Sequence, residues 1–299
     1  MKICVVAPNY LPHHGGAEVG MHLILRHWVR ANGHECHVIV PTTDRALPAQ
    51  ETIEGVQVHR YRRPNLWARW YAPTLFAFLH TGRILRQIQP DVLLISYILP
   101  TGLAAFPAAK EQGIPTAMVL VGHDIYDPFH MPDTFLQKQA ANAISQTQHI
   151  IASSSFIRER LISHFGAQPD SIEVIPYGIE TDQYRTQMTK HELRQQYNIP
   201  EDTVLLFALQ RLETRKGTDV LIRSMQHVVD RCGRVPVHLL IGGTGSNAAE
   251  LQALAEEEHL SSLITFAGFI PEMEKAAHYS AADIFVLHSY HEGLGIVLQ

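Results

Sequence analysis

The chain has 299 residues, 46% of them apolar and 18% charged. That length and composition fit two folded domains with a core that needs no disulfide or metal staple, and exclude a disordered chain. The net charge of −5 excludes general nucleic-acid binding.

Taken in chain order, Lys2–Ala7 is an uninterrupted apolar run ending at Pro8 and predicts a buried parallel strand. Ala17–Ala31 has helical periodicity and closes at Asn32-Gly33. Glu35–Val40 and Val56–Tyr61 read as strands, and Leu75–Ile88 as a helix stopping before Pro90. Val92–Ser96, Thr116–Val121, His149–Ala152 and Ser171–Ile175 read as further strands separated by helical stretches. Pro176-Tyr177-Gly178-Ile179 interrupts the pattern as a turn or linker.

Alternation then restarts. Strands are expected at Val204–Leu209, Val237–Ile241, Leu263–Ala267 and Ile284–Leu287, with helices at Asp219–Val229, Ala248–Glu257 and Met273–Tyr279. The expected fold class is therefore α/β, with two facing Rossmann-like, doubly wound parallel-sheet domains over residues 1–178 and 179–299. Residues 1–178 carry 14 basic and 13 acidic side chains, and residues 179–299 carry 10 and 16. Open parallel sheets bind ligands off the carboxyl ends of their strands, so the loops after strands hold the candidates.

Gly15 and Gly16 lead into the first helix, whose free N–H groups suit an anion. His123, in Gly122-His123-Asp124, follows a central strand and could bond a hydroxyl or carry a proton. Arg211 and Lys216 bracket the loop Gln210–Gly217; a guanidinium and an ammonium together suit a diphosphate. Gly243 and Gly245 follow the next strand, but no acidic residue stands about 20 positions on, which disfavours a dinucleotide site. Glu292 precedes Gly293, Leu294 and Gly295, where a carboxylate can take sugar hydroxyls and backbone amides can take oxygens.

Together these residues resemble the retaining glycosyltransferases of the GT-B fold, family 4 (glycosyltransferase group 1). The matches are Gly15-Gly16-Ala17-Glu18, Gly122-His123-Asp124, Pro176-Tyr177-Gly178-Ile179, Arg211-Leu212 with Lys216-Gly217, Gly242-Gly243-x-Gly245, Gly268-Phe269-Ile270 and Glu292–Leu298. The resemblance implies metal-independent transfer of a hexosyl group from a nucleotide-sugar donor to a saccharide or lipid-linked acceptor, with the donor as substrate and no cofactor or metal. It implies that Gly16 meets the donor diphosphate, and that His123 lies beside the transferred sugar. Arg211 and Lys216 would neutralise the leaving nucleoside diphosphate, and Glu292 with the amides after it would hold the sugar. The family's second motif glutamate would fall one position past Gln299, so the second domain reads as truncated. The alternative reading is a non-catalytic or truncated paralogue with weak donor binding.

Cys4, Cys36 and Cys232 lie far apart in apolar runs and read as buried free thiols of a reducing compartment. The 19 histidines show no HExxH or other ligand spacing. Ile3–Ala7 is too short for a signal-peptide core, and residues 92–109 are broken by Pro100, Gly102 and Pro107, so a cytoplasmic protein is expected. Residues 60–86 interleave Arg60, Arg62, Arg63, Arg69, Arg83 and Arg86 with Tyr61, Trp67, Trp70, Tyr71, Phe76 and Phe78, a pattern suited to peripheral contact with an anionic membrane.

Overall fold

The structure is a computed structural model that describes residues 1–13, 15–63, 71–122 and 134–298. The chain divides into two compact units, Met1–Gly178 and Ile179–Gln299.

The first unit runs β1 (Lys2–Val6), α1 (Gly16–Asn32), β2 (Glu35–Thr42), β3 (Gln50–Ile53), β4 (Val56–Arg62), α2 (Tyr71–Ile88), β5 (Val92–Ile95), α3 (Leu103–Glu111), β6 (Thr116–Leu120), α4 (Thr134–Ser145), β7 (Ile150–Ala152), α5 (Ser155–Phe165) and β8 (Ile172–Val174). Its strands lie in the order β3-β4-β2-β1-β5-β6-β7-β8. Val5 in β1 pairs with Val38 on one side and Leu94 on the other. Because strand side chains alternate, Cys4 and Val6 enter one core with Ile39, Ile95 and Leu120, while Ile3 and Val5 enter the opposite core with Leu25 and Val38. Both faces are covered, which is why the central strands β1, from Ile3 on, and β5 are apolar throughout.

The departure from a fully parallel sheet is β3, antiparallel to β4 and absent from the sequence reading. Its sequence, Gln-Glu-Thr-Ile, carries little apolar signal. Glu54 and Gly55 both adopt positive φ, 47° and 92°, the backbone of a tight hairpin. Helix α1 ends where glycine allows a left-handed residue: Gly33 has φ 63°, and its amide bonds the carbonyls of Trp28 and Val29.

The second unit runs α6 (Lys190–Gln196), β9 (Val204–Leu209), α7 (Thr218–Cys232), β10 (Val237–Gly242), α8 (Ala248–Glu257), β11 (Ile264–Gly268), α9 (Glu272–Ala281) and β12 (Ile284–Phe285). The sheet order is β11-β10-β9-β12, all parallel. Leu206 and Ala208 face one core, and Leu205, Phe207 and Leu209 face the other. Helix α6 was not legible as apolar periodicity; a capping box of Thr189 and Glu192 starts it.

A single 3-10 turn, Ile296–Leu298, follows Gly295. Two expectations are corrected. The last strand covers two residues instead of Ile284–Leu287, because β12 is an edge strand with β9 as its partner. Cys232 is exposed, since it is the last residue of α7, while Cys4 and Cys36 are buried free thiols.

Asp283 fixes the start of β12. Its Oδ2 accepts from the Leu205 amide at 2.8 Å and from Arg194 at 2.7 Å, and its Oδ1 accepts from Lys190 at 2.6 Å. Arg194 is fully buried and also donates to the carbonyl of Thr203 at 2.8 Å. Burial alone would raise the Asp283 carboxyl, but the bonds from Lys190, the Leu205 amide and Arg194 outweigh it and hold the pKa at about 2.

Candidate functional site

The loop from β9 to α7 gathers the charges. Leu209 ends the strand, Gln210 turns inward, and Thr214–Lys216 form one 3-10 turn closed by Gly217 at φ 65°. A side chain at Gly217 would press within 2.9 Å of the His288 carbonyl, so glycine is required both for the backbone angle and for the close approach of the β12 loop. The two loops are also tied by the Tyr290 amide, which donates to the Arg215 carbonyl at 3.1 Å.

Lys216 Nζ forms an ion pair with Glu292 Oε1, and Ser289 Oγ donates to the same oxygen at 2.8 Å. Glu213 holds two guanidiniums at once: Oε1 lies 3.0 Å from Arg211 and Oε2 lies 3.0 Å from Arg215. Burial lowers the Lys216 pKa; Glu292 opposes that shift, and Arg215 and Arg211 add to it. The cluster thus holds three cations against two carboxylates.

Beneath it, Gln210 Nε2 donates to Thr218 Oγ1 at 2.7 Å and to His288 Nε2 at 2.9 Å. Accepting through Nε2 places the proton of the neutral ring on Nδ1. Burial is the main reason that His288 is held below its ordinary pKa; Asp219 opposes this and Lys216 reinforces it.

The sequence-predicted residues fall out unevenly. Lys216 and Glu292 are brought into direct contact, and Arg211 stands beside them on Glu213. Gly293 and Leu294 follow Glu292 in a bend, and Gly295 turns the chain with φ 64°. Gly243 and Gly245 make room for protein: a side chain on Gly243 would enter the Gln210 carbonyl, and one on Gly245 the Leu212 carbonyl. These glycines seat the β10 loop against the β9 loop, where Leu212 N donates to the Thr244 carbonyl at 2.9 Å.

In the first unit, Gly15 is the N-cap of α1 and Gly16 its first residue. The Glu18 carboxylate folds back over Gly15, at the positive end of the helix dipole. His123 and Asp124 lie outside the described residues. Glu213, Ser289, Gln210 and His288 were missed as site residues. Their only sequence signal was membership of the two loops: Gln210 and His288 meet across 78 positions, while Glu213 and Ser289 are polar loop residues that act on neighbours two or three positions away. Among the described residues, no three His, Cys, Asp or Glu side chains are grouped to hold a metal ion.

Residues 60–86 divide likewise. Arg60 and Tyr61 are buried, and Arg60 pairs with Glu51 and donates to the Leu11 carbonyl at 2.7 Å. Arg62 clamps the carbonyls of Asp44, Arg45 and Leu47. Trp67, Arg69 and Trp70 lie outside the described residues. On α2, Leu75, Phe76, Leu79, Arg83 and Arg86 are exposed along the helix. No described helix is long and apolar enough to cross a membrane.

Parallel sheets covered on both faces, with a charged loop at the carboxyl end of a central strand, define the Rossmann-like class of nucleotide-binding folds. Residues 14–183 match the family described as Glycosyltransferase Family 4, and residues 189–299 match Glycosyl transferases group 1. The chain is 32% identical over 301 residues to the GDP-mannose-dependent alpha-(1-6)-phosphatidylinositol monomannoside mannosyltransferase of Mycobacterium tuberculosis, covering 100% of this chain and 75% of that one. It is 26% identical over 295 residues to the D-inositol 3-phosphate glycosyltransferase of Thermomonospora curvata, covering 89% of this chain and 68% of that one. The sucrose-phosphate synthase of Thermosynechococcus elongatus shares the fold, with a TM-score of 0.79 over 99% of this chain and 77% of that one at 18% identity. The chain belongs to glycosyltransferase family 4, of GT-B fold, and is by that membership an enzyme of glycosyl transfer.

Proposed function

We propose that the protein moves a hexosyl group from a nucleotide-sugar donor to a saccharide or lipid-linked acceptor, with retention of anomeric configuration and without a metal. The observation that carries this reading is the Lys216–Glu292 pair beside Arg211 and Arg215. A leaving nucleoside diphosphate needs positive charge where its own negative charge develops, and preorganised cations supply it without reorganisation. Here the cations are already in place, held by carboxylates that a diphosphate can replace.

In this reading the donor diphosphate displaces Glu213 from Arg211 and Arg215 and takes the ammonium of Lys216. Glu292, released, accepts hydrogen bonds from the donor-sugar hydroxyls, while the amides of Gly293, Leu294 and Gly295 hold sugar oxygens. Gly15 and Gly16 offer backbone amides to the diphosphate, Gly243 and Gly245 shape the nucleotide's surroundings, and His123 stands by the transferred sugar. The acceptor attacks the face from which the diphosphate departs, through an oxocarbenium-like state, and its hydroxyl proton passes to the leaving phosphate oxygen. The acceptor class is supported by the names of the two relatives above, one acting on an inositol phosphate and the other on a phosphatidylinositol mannoside.

Calorimetry with UDP, GDP and ADP, followed by hydrolysis of the matching nucleotide-sugars, tests the reading. One nucleoside diphosphate should bind, and Lys216→Ala should cut donor turnover about 100- to 1000-fold, the loss usual for a group that stabilises transition-state charge. Absence of binding by all three would instead favour the non-catalytic paralogue.

The same reading places the enzyme in the cytoplasm at the inner face of a membrane. Leu75, Phe76 and Leu79 with Arg83 and Arg86 on α2 give an apolar and basic face suited to anionic lipid. Co-sedimentation with phosphatidylglycerol vesicles should fall on Leu75→Glu with Leu79→Glu; an unchanged bound fraction removes the membrane contact.

A further inference from the structure

Beneath the cation loop, the Gln210 side chain ties the end of β9 to the first turn of α7 and to the loop after β12. It reaches Thr218 Oγ1 at 2.7 Å and His288 Nε2 at 2.9 Å. Gln210 is 9% exposed and Thr218 is 1% exposed. Two buried atoms of this tie have no hydrogen-bond partner among the described residues: Gln210 Oε1, an acceptor, and His288 Nδ1, which carries the ring proton. Buried polar groups are normally paired, so two orphans on adjoining side chains call for a cause.

The tie has a second form built on the same heavy atoms. Turning the Gln210 amide end for end puts Oε1 where Nε2 stands. Oε1 then accepts from the Thr218 hydroxyl and from an N–H at His288 Nε2. A neutral ring meets that demand only by giving up its proton on Nδ1, whereas an imidazolium meets it and keeps both. Protonation of His288 is thus accommodated by rotation about one side-chain bond.

The surrounding charges decide which form holds. Burial keeps the ring neutral; Asp219, in the first turn of α7, opposes this, and Lys216, in the loop after β9, adds to it. The positive end of α7, which starts at Thr218, also disfavours a cation here. Above the ring, Lys216 is paired with Glu292, and Arg211 and Arg215 share Glu213, which leaves one positive charge in excess. A bound diphosphate outweighs that excess and reverses the sign of the loop, so the balance turns towards the imidazolium.

We propose that His288 is a positioning residue of the cation loop that takes up one proton from solvent when a nucleoside diphosphate binds there, the Gln210 amide turning to keep the tie. The proton adds to Nε2, and no covalent bond breaks. The tie holds the loop bearing Glu292 against the loop bearing Lys216 in both forms, and the new charge lies beneath the diphosphate. The inference rests on the diphosphate reading of this loop and deepens it, because binding coupled to proton uptake tightens as pH falls.

Calorimetry with whichever of UDP, GDP and ADP binds, repeated at about pH 7 in buffers of different ionisation enthalpy, counts the protons taken up. The parent should take up about half a proton more than His288→Gln, which keeps a hydrogen-bonding amide but does not titrate. Its affinity should accordingly rise about 3-fold more per unit fall in pH than that of the variant. Proton changes on the nucleotide's own phosphate cancel in this difference. Gln210→Glu sets a carboxylate against the ring and should charge it before binding, so the extra uptake vanishes there too. NMR of nitrogen-15 histidine-labelled protein reads the ring directly. The His288 signal is assigned by its absence from His288→Gln or, should that variant not fold, by its shift in Gln210→Glu. It should pass from neutral ring to imidazolium when nucleotide is added to the parent, and be imidazolium throughout in Gln210→Glu. A ring that stays neutral with nucleotide bound, or equal uptake in the parent and in folded His288→Gln, overturns the inference and leaves the diphosphate reading standing. Absence of binding by all three nucleotides overturns both.

Discussion

The loop after the first strand of each unit occupies the same place in its sheet, yet the two handle negative charge differently. In the loop after β1, the positive end of α1 is the source of attraction, and Glu18 folds back over Gly15 to meet it. In the loop after β9, three full cations meet two carboxylates, Glu213 and Glu292. A helix terminus offers roughly half an elementary charge, screened within a turn, whereas a guanidinium offers a full charge in a fork that matches phosphate oxygens. The same topology can therefore yield a weak or a strong anion site, depending on the side chains of one loop.

Arg211→Ala should break this contrast most severely. Loss of charge-assisted hydrogen bonds costs about 1.5–3 kcal/mol, so nucleoside diphosphate affinity measured by calorimetry should fall about 10- to 100-fold. Unchanged affinity would mean that the cation loop does not bind the diphosphate.

Asp283→Asn should act through position. It leaves the buried Arg194 without its counter-charge and loosens β12, which leads into the loop bearing Glu292. A loss of about 1–3 kcal/mol is expected, less than for a fully buried pair because Asp283 is 33% exposed. The sign of its pH dependence follows from a folded-state pKa of about 2, below the unfolded value near ~3.9. The stabilisation is complete above the unfolded value and is lost as pH falls from about 4 towards 2. Thermal melts across that range should show a shallower acid limb in the variant.

Glu213→Gln sharpens the contrast in the opposite direction. Freeing Arg211 and Arg215 from a half-exposed pair should tighten nucleoside diphosphate binding, up to about 5-fold for a pair worth up to about 1 kcal/mol. Weaker binding would show that Glu213 positions the guanidiniums instead of occupying them. Glu18→Gln should have the smallest effect, a loss of about 0.3–1 kcal/mol in the stability of the first unit, as expected for a carboxylate at a helix start. If it tightened diphosphate binding as much as Glu213→Gln, the two loops would be equivalent and the contrast would fail.

Much of the fold was legible because apolar runs of five or six residues, separated by helical periodicity, admit few arrangements other than a covered parallel sheet. What escaped the reading was polar or short. Strand β3 is written in Gln-Glu-Thr-Ile and held by its turn, and α6 depends on a cap. At the site, Arg211, Lys216 and Glu292 stood out as charged residues in loops after strands. Gln210, Glu213, His288 and Ser289 did not, since a polar residue in such a loop looks the same whether it meets solvent or a partner.

The sequence alone determined the alternation of strands and helices, the order of the loops and the family, because hydrophobic period and motif spacing are local properties. Tertiary structure decided which charges neutralise one another. Lys216 meets Glu292 across 76 positions, and Gly243 and Gly245 turn out to clear space for neighbouring carbonyls. Pairing of charges and close approach of backbones depend on distances that arise only when distant strands lie side by side in one sheet.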